Sequence, residues 1–110
     1  MPAAVLSKTA VLNDDLRTTF TGGKVVMTTA MLALDHVKRS KVLEAVRTFT
    51  AFTQDNDPHG EHNCAFFEVD GESYFFKIDC YDPTMQCGSE NPEDPARTIR
   101  VLTIGTAADY

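Results

Sequence analysis

The sequence predicts one α+β domain, residues 1–110, in which two helices cover one face of a small, mostly antiparallel four-stranded sheet. Three observations support this fold class. Two segments with helical spacing alternate with four short β-prone segments, in the order α-β-α-β-β-β. A two-residue turn signal, Asp70-Gly71, joins two of the β-prone segments into a hairpin. A chain of 110 residues, 43% of them hydrophobic, has the length and composition of a single domain with one core.

The first helix is predicted from a stripe of residues that recur every three or four positions. The stripe consists of Val5, Thr9, Leu12, Leu16 and Phe20. Gly22-Gly23 follows it, and glycine readily adopts the left-handed conformation that ends many helices. The next segment, Lys24 to Thr29, contains a continuous apolar run and is therefore predicted to be a strand buried on both faces.

The second helix is predicted from Ser40 to Phe52, with Ser40 as its N-cap. Its apolar stripe consists of Val42, Leu43, Val46, Phe49 and Phe52. The hairpin strands follow at Cys64 to Val69 and Ser73 to Tyr81, and the last strand at Thr98 to Ile104, with Ile99, Val101 and Thr103 on one face. Turn-forming residues predict loops at 54–62 and 82–96, on either side of the hairpin.

The acidic residues are concentrated in one stretch of the sequence. Residues 54–94 contain eleven carboxylates and a single basic residue, Lys77, whereas residues 1–53 contain seven basic and four acidic residues. A strongly negative surface repels nucleic acid and attracts a basic protein groove. The sequence therefore disfavours direct nucleic-acid binding and predicts a protein or ribonucleoprotein partner that has a basic nucleic-acid groove. The candidate partner-binding residues are Asp55, Asp57, Glu61, Glu68, Asp70, Glu72, Asp79 and Asp82.

Other interpretations of the same residues remain open at this stage. The acidic stretch also fits a solvated face without a function, and the basic residues Lys38, Arg39, Lys41 and Arg47 suggest a bipolar adaptor. The alternative function is a small metal-dependent hydrolase or nuclease. It would use the 55–62 loop, with His59 or His62 as general base, together with Lys77, Asp79 and Asp82. Turn chemistry explains the same loop, because Asx turns require these residue types.

No metal or other cofactor is expected. The residues His59, His62 and Cys64, with Cys80 or Cys87, supply zinc-ligand types, but they form no Cys-x-x-Cys pair. No apolar run approaches the ~20 residues of a membrane-spanning helix, and the first ten residues lack the charged and apolar regions of a signal peptide. We therefore expect no membrane association, and a cytoplasmic protein whose three cysteines are reduced.

Several motifs in one order resemble those of a known family. They are Leu12-Asn13-Asp14 with Arg17 and Gly22-Gly23, the octet Asp55 to His62, Lys77-Ile78-Asp79 with Tyr81-Asp82, Asp94-Pro95, Arg100 to Ile104, and Asp109-Tyr110. Together they resemble a family of small uncharacterised proteins encoded on proteobacterial plasmids, integrated elements and phages. This chain departs from the family pattern at residues 63–65, directly after the octet. The resemblance implies no established activity, but its genomic setting implies an antagonist of host defence of the antirestriction or anti-CRISPR type.

Overall fold

The computed structural model describes residues 6–110, which form a four-stranded mixed sheet with three helices. The strands lie in the order β1-β4-β3-β2, with β1 parallel to β4 and the other neighbours antiparallel. The predicted α+β class with a mostly antiparallel sheet is confirmed. The elements are α1 Lys8–Thr19, β1 Lys24–Met27, α2 Thr29–Leu32, α3 His36–Thr48, β2 Cys64–Val69, β3 Glu72–Tyr81 and β4 Ile99–Thr106, with 3-10 turns at Pro95–Arg97 and Ala107–Asp109.

The hydrophobic core lies between the helices and one face of the sheet. Its buried residues are Leu16 of α1, Met31 of α2, Val42 and Val46 of α3, and Ala65, Tyr74, Phe76, Ile78, Leu102 and Ile104 of the sheet. Side chains alternate between the two faces of a strand, so Phe75, Lys77 and Asp79 lie on the opposite face. We call that opposite face the open face. No helix in residues 6–110 has the length and apolar content needed to cross a membrane.

Helix α1 buries a different set of residues from the predicted stripe. Ser7 caps its N-terminus, and the buried positions are Ala10, Asn13, Leu16 and Arg17. Of the predicted stripe, Leu16 is buried, whereas Val5 lies outside the described residues. The helix ends at Phe20, which itself adopts the left-handed conformation with φ 57°, so the prediction that Gly22-Gly23 supplies this residue is wrong.

Strand β1 is an edge strand, and the prediction that it is buried on both faces is wrong. Its residues alternate between exposed and half-buried, and Val26 is 44% exposed on the open face. The helices cover only one face of the sheet, so the apolar run cannot be buried on both. The last two residues of the predicted strand instead begin helix α2, where the Thr28 hydroxyl accepts a hydrogen bond from the Met31 amide at 3.3 Å.

Helix α3 begins one turn earlier than predicted. Asp35 is its N-cap and accepts a hydrogen bond from the Lys38 amide at 2.8 Å, so the assignment of Ser40 as the cap is wrong. All five residues of the predicted apolar stripe reach the core, with Val42 and Val46 fully buried and the other three packed against it. The predicted helix end at Phe52 is wrong, so only Val42, Leu43 and Val46 belong to a helical stripe. The helix ends at Thr48, so Phe49 and Phe52 lie in extended chain beyond it.

The hairpin and the last strand follow the prediction closely. Asp70 and Gly71 have φ values of 53° and 81°, as a type I′ turn requires, and β2 pairs with β3 residue by residue without a bulge. In β4, Ile99 shares the open face with Val101 and Thr103, as predicted. The fully buried side chains of that strand, Leu102 and Ile104, lie on the opposite face, against the helices.

Candidate functional site

Two carboxylates at the hairpin tip, Asp70 and Glu72, pair with lysines of helix α3. Lys38 Nζ lies 2.6 Å from Glu72 Oε1, and Lys41 Nζ lies 3.2 Å from Asp70 Oδ2. The Lys38 ammonium holds the pKa of Glu72 below its usual value, and Glu72 in turn raises the pKa of Lys38. These lysines are 34 and 29 residues away in the sequence, so the charge count of residues 54–94 missed them. Asp70 and Glu72 are therefore compensated, and Glu68 is the hairpin carboxylate that keeps an unpaired charge among residues 6–110.

The basic stripe on α3 is engaged in the same way. Arg39 donates from Nη2 to the carbonyls of Leu32 and Leu34, and Arg47 donates from Nε to the carbonyl of Thr18. Together with the two lysine pairs, these bonds account for all four basic residues of the proposed adaptor surface. The stripe therefore ties α3 to its neighbours: the two lysines pair with carboxylates, whereas the two arginines donate to neutral carbonyls and keep their charge.

Asp79 lies on the open face beside Lys77, as the strand alternation predicts. Lys77 Nζ is 3.3 Å from Asp79 Oδ2, and both side chains are about two-fifths exposed, at 42% and 41%. They line a cavity of about 510 Å³ together with Phe75 and Tyr110. Because its partner is exposed and adjacent, Asp79 adds little net negative charge to this face.

Six of the eleven carboxylates in residues 54–94 have no ion-pair partner among residues 6–110. One of them, Glu68, is exposed on the open face of β2 near the hairpin tip. The other five lie in the loops at the opposite end of the sheet from the hairpin tip. We call them the loop-end carboxylates: Asp55, Glu61, Asp82, Glu90 and Glu93. The ten residues of β3 separate this end from the hairpin tip, a distance of about 30 Å at ~3.3 Å per residue. The stretch that is continuous in sequence thus forms two separate acidic regions in space.

Asp82 organises the turn that begins the 82–96 loop. Its Oδ1 accepts hydrogen bonds from the Thr84 hydroxyl at 2.7 Å, the Thr84 amide at 3.1 Å and the Gln86 amide at 3.3 Å. These bonds, the Thr84 hydroxyl first, lower the pKa of Asp82. The charge is therefore retained and fixed in position, next to a cavity of about 450 Å³ that is also lined by Glu90 and Cys87.

Asp57 is inside the fold rather than on the surface. Its side chain is 5% exposed, and its Oδ1 accepts hydrogen bonds from the backbone amides of Glu61 at 3.1 Å and His62 at 3.2 Å. These bonds close the 55–62 loop around Gly60, which has a φ of 64°. Asp57 is thus placed to hold the loop, and it does not belong to the exposed acidic surface.

His62 lies between two carboxylates. Its Nδ1 is 2.9 Å from Asp14 Oδ2, its Nε2 is 3.6 Å from Asp57 Oδ2, and its ring stacks on Phe52 with the ring centres 4.0 Å apart. The residue has a φ of 54°, which is rare for a residue with a side chain and indicates that its surroundings hold it in place. Because both ring nitrogens face carboxylates, His62 joins the 55–62 loop to helix α1.

Arg17 continues this network into the core. Its Nη1 donates to the carbonyls of Val46 at 2.9 Å and Phe49 at 2.8 Å, and its Nη2 lies 2.9 Å from Asp14 Oδ1. The guanidinium also lies over the ring of Phe52, 5.3 Å from its centre. Arg17 therefore closes the end of helix α3, whose last carbonyls have no partner within the helix.

Asn13 and Arg100 extend the network to the second loop. Asn13 Nδ2 donates to the carbonyl of Glu61 at 3.0 Å, and Asn13 Oδ1 accepts from Arg100 Nε at 2.9 Å. Arg100 also donates from Nη2 to the carbonyl of Pro92. The network therefore fixes the 55–62 and 82–96 loops against each other. In the sequence, Asn13, Arg17 and Arg100 belong to the motifs that resemble a known family, but no contact between them was predicted. The spacing of Asn13, Leu16 and Arg17, which share one helix face, was the signal that Asn13 and Arg17 are buried.

The structure does not bring the residues of the alternative hydrolase together. Asp57 and His62 lie on the helix side of the sheet, whereas Lys77 and Asp79 lie on the open face. Asp82 is committed to the turn that it caps. No general base in the 55–62 loop therefore shares a cavity with Lys77 and Asp79.

The zinc-ligand types are also dispersed. Among residues 6–110, no group of three or more His, Cys, Asp or Glu side chains has the geometry of a metal site. All three cysteines are free thiols, and burial raises the pKa of Cys64 and Cys80. His59 is exposed in its loop, and both nitrogens of His62 already face carboxylates.

Comparison with protein families gives one match. Residues 27–109 match the family model described as "Protein of unknown function (DUF3768)". The chain belongs to this family. The DUF3768 match begins at the end of β1, so it includes the hairpin, both loops and all five loop-end carboxylates, and it leaves out Asn13, Asp14 and Arg17 of α1. No curated protein and no solved structure matches the chain.

Proposed function

We propose that this protein is a non-enzymatic cytoplasmic inhibitor, carried by a mobile element, of a host complex that handles nucleic acid. It binds a basic groove of that complex, of the CRISPR-surveillance or restriction type, and so blocks the entry of target DNA. The observation that carries the proposal is the group of loop-end carboxylates, which have no ion-pair partner among the described residues.

The contrast between the two ends of the sheet selects the binding surface. At the hairpin tip, Asp70 and Glu72 already have lysine partners. A basic groove that binds them has to compete with Lys38 and Lys41, which reduces the net gain in free energy. The loop-end carboxylates have no such competition, so they are free to pair with arginine and lysine side chains of a groove that normally receives phosphates.

The rigidity of the loop end also supports this surface. The network of Asn13, Asp57, His62 and Arg100 fixes both acidic loops, and Asp82 is held by its own turn. A preorganised surface loses less conformational entropy on binding than mobile loops do. The buried polar residues therefore hold the unpaired carboxylates of both loops in fixed positions.

The choice of a defence complex as the partner rests on the motif resemblance. The octet Asp55 to His62 and the motifs around it resemble proteins of plasmids, integrated elements and phages. Such elements must evade restriction and CRISPR systems, and an acidic inhibitor of a DNA-binding groove is one physical solution. The charge distribution and the resemblance support the same partner class independently.

The experiment is affinity capture from nuclease-treated lysate of a proteobacterium that carries CRISPR and restriction systems. The bait is the wild-type protein or a variant with Glu61→Lys, Glu90→Lys and Glu93→Lys. We expect the wild-type protein to retain a DNA-binding defence complex in stoichiometric amount, and the loop-end variant to lose it. The matched control reverses three carboxylates elsewhere, Glu44, Asp70 and Glu72, and we expect it to retain the complex. Equal loss in both variants would show that net charge, rather than the loop end, determines binding.

A further inference from the structure

Strand β2 is an edge of the sheet without the usual protection. Its six residues, Cys-Ala-Phe-Phe-Glu-Val, contain neither lysine nor proline, and it pairs with β3 without a bulge. Natural proteins protect exposed edges with these features because a free edge pairs with other strands. The other edge, β1, is only four residues long, begins with Lys24 and leads directly into α2. The two edges thus differ in how far they resist pairing.

The backbone groups of β2 that point away from the sheet can be identified. The Ile78 amide donates to the carbonyl of Asn63 at 2.7 Å, so Asn63 and alternate residues after it bond toward β3. The amides and carbonyls of Cys64, Phe66 and Glu68 therefore point outward, away from β3. A further strand that pairs with this edge would form hydrogen bonds with these outward-pointing backbone groups.

Phe66 lies on the open face at this edge, and it is 53% exposed. Its ring contacts Phe75 and Tyr110, with ring centres 6.2 Å and 5.0 Å apart. Tyr110 is itself 68% exposed. An aromatic cluster of this size at a sheet edge is typical of a surface that another molecule covers.

We propose that the β2 strands of two copies of this chain pair antiparallel about a two-fold axis at Phe66, which joins the two sheets into one of eight strands. This register uses the three outward-pointing residues together. Phe66 of one copy pairs with Phe66 of the other, and Cys64 pairs with Glu68 of the other copy. Each of these pairs then exchanges both of its backbone hydrogen bonds.

The side chains are self-complementary in this register. In each copy Cys64 is aligned with Lys77 of β3 on the open face. Glu68 of one copy therefore lies in line with Lys77 of the other, two strands away across the small Cys64 side chain. Two strand spacings are about 10 Å, which a glutamate and a lysine side chain span together. Lys77 is also 3.3 Å from Asp79 of its own copy, so Glu68 joins this exposed pair and Lys77 lies between two carboxylates. The symmetry produces this ion pair twice, on either side of the central phenylalanine pair.

A second copy fits this edge better than the basic partner of the proposed function does. The six residues of β2 carry one charge, Glu68, so the edge offers a basic groove little to bind. Its apolar centre matches a copy of itself, and so do Glu68 near one end and Lys77 of the neighbouring strand β3 near the other. The edge pairing is independent of the proposed function, because it uses none of the loop-end carboxylates.

The first test is the molar mass of the purified protein, measured by sedimentation equilibrium up to high micromolar concentration. We expect the mass of two chains. Phe66→Glu places two carboxylates at the axis, so we expect it to weaken the dimer about thirtyfold or more, as loss of an interface hot spot does. The matched control is Val26→Glu, which is on the same open face at the other edge and should leave the dimer unchanged. Circular dichroism verifies that both variants are folded.

The second test is a charge exchange that only a contact between copies explains. Within one copy Glu68 and Lys77 are four residues apart along the strand direction, about 13 Å, too far for an ion pair. We expect Glu68→Lys and Lys77→Glu to weaken the dimer about tenfold each, and the double exchange to restore it. A wild-type protein that is monomeric at all concentrations would overturn the proposal. A dimer whose dissociation constant is unchanged by Phe66→Glu would also overturn it. So would single and double charge variants that weaken the dimer to the same extent.

Discussion

Arg17 should be among the residues most important for the stability of this fold, and Arg17→Met tests this. The guanidinium donates to two backbone carbonyls and pairs with Asp14, and the side chain is 4% exposed. Methionine fills a similar apolar volume but donates no hydrogen bond. The carbonyls of Val46 and Phe49 then lose their charged partner, and Asp14 retains only His62.

The expected cost follows from the environment of these groups. Removing one partner of a buried ion pair typically costs about 3–5 kcal/mol. The Asp14 side chain is 24% exposed, and water therefore compensates part of its loss. We expect the free energy of unfolding to fall by about 3–4 kcal/mol, a large part of the ~5–15 kcal/mol of a typical domain. The melting temperature should fall by about 12–16 °C, at ~4 °C per kcal/mol.

The assay is urea unfolding followed by circular dichroism, with Arg47→Met as the matched control. Arg47 also joins α3 to α1, through a 3.3 Å bond to the carbonyl of Thr18, but it is exposed. We expect the control to lose about 0.5 kcal/mol or less. If Arg17→Met costs no more than Arg47→Met, the buried network does not stabilise the fold, and its role in holding the acidic loops is refuted.

Three further predictions concern a glycine, a core residue and a carboxylate. A Cβ atom at Gly23 would lie 2.6 Å from the carbonyl oxygen of Arg100, so Gly23→Ala should destabilise the protein by about 1–3 kcal/mol, measured by thermal unfolding, whereas Gly88→Ala should have little effect. Leu102 is fully buried beneath the helices, so Leu102→Ala should cost about 2–5 kcal/mol in urea unfolding, and a cost under about 1 kcal/mol would contradict its place in the core. The pKa of Asp82 is lower in the folded protein than its usual value of 3.8, so its stabilising effect is complete above that value and is lost as the pH falls through the folded pKa. Asp82→Asn should therefore destabilise the protein at neutral pH and approach wild-type stability in strong acid, measured by denaturant unfolding across that range.

The sequence was sufficient for elements that local patterns determine. The Asp70-Gly71 turn has a specific requirement for positive φ, and the alternation along β3 placed Lys77 and Asp79 on the open face. The helix boundaries were harder to predict, because more than one residue can act as a cap. Helix α3 has Asp35 as its N-cap, whereas the sequence predicted Ser40. Whether the apolar run of β1 is buried depends on the position of the strand in the sheet. The strand order makes β1 an edge strand, and no local sequence pattern specifies that order.

The charge distribution shows why the site was harder to predict than the fold. Counting charges along the sequence treated all eleven carboxylates as one surface. In the folded chain, Lys38 and Lys41 pair with Glu72 and Asp70 at the hairpin tip, and Asp57 is buried. These outcomes depend on contacts between residues about 30 positions apart or on the closure of a loop, so only the tertiary structure separates the loop-end carboxylates from the rest.

The most direct test of the central claim is a competition experiment with the defence complex that the wild-type protein captures. Purified complex is mixed with labelled target DNA, and fluorescence anisotropy measures how much DNA the inhibitor displaces. We expect the wild-type protein to displace DNA with a potency that falls as salt rises, because salt screens the carboxylates from the basic groove. We also expect that Glu61→Lys/Glu90→Lys/Glu93→Lys abolishes displacement and that Glu44→Lys/Asp70→Lys/Glu72→Lys preserves it. Undiminished displacement by the loop-end variant would contradict the claim that these carboxylates occupy the basic groove.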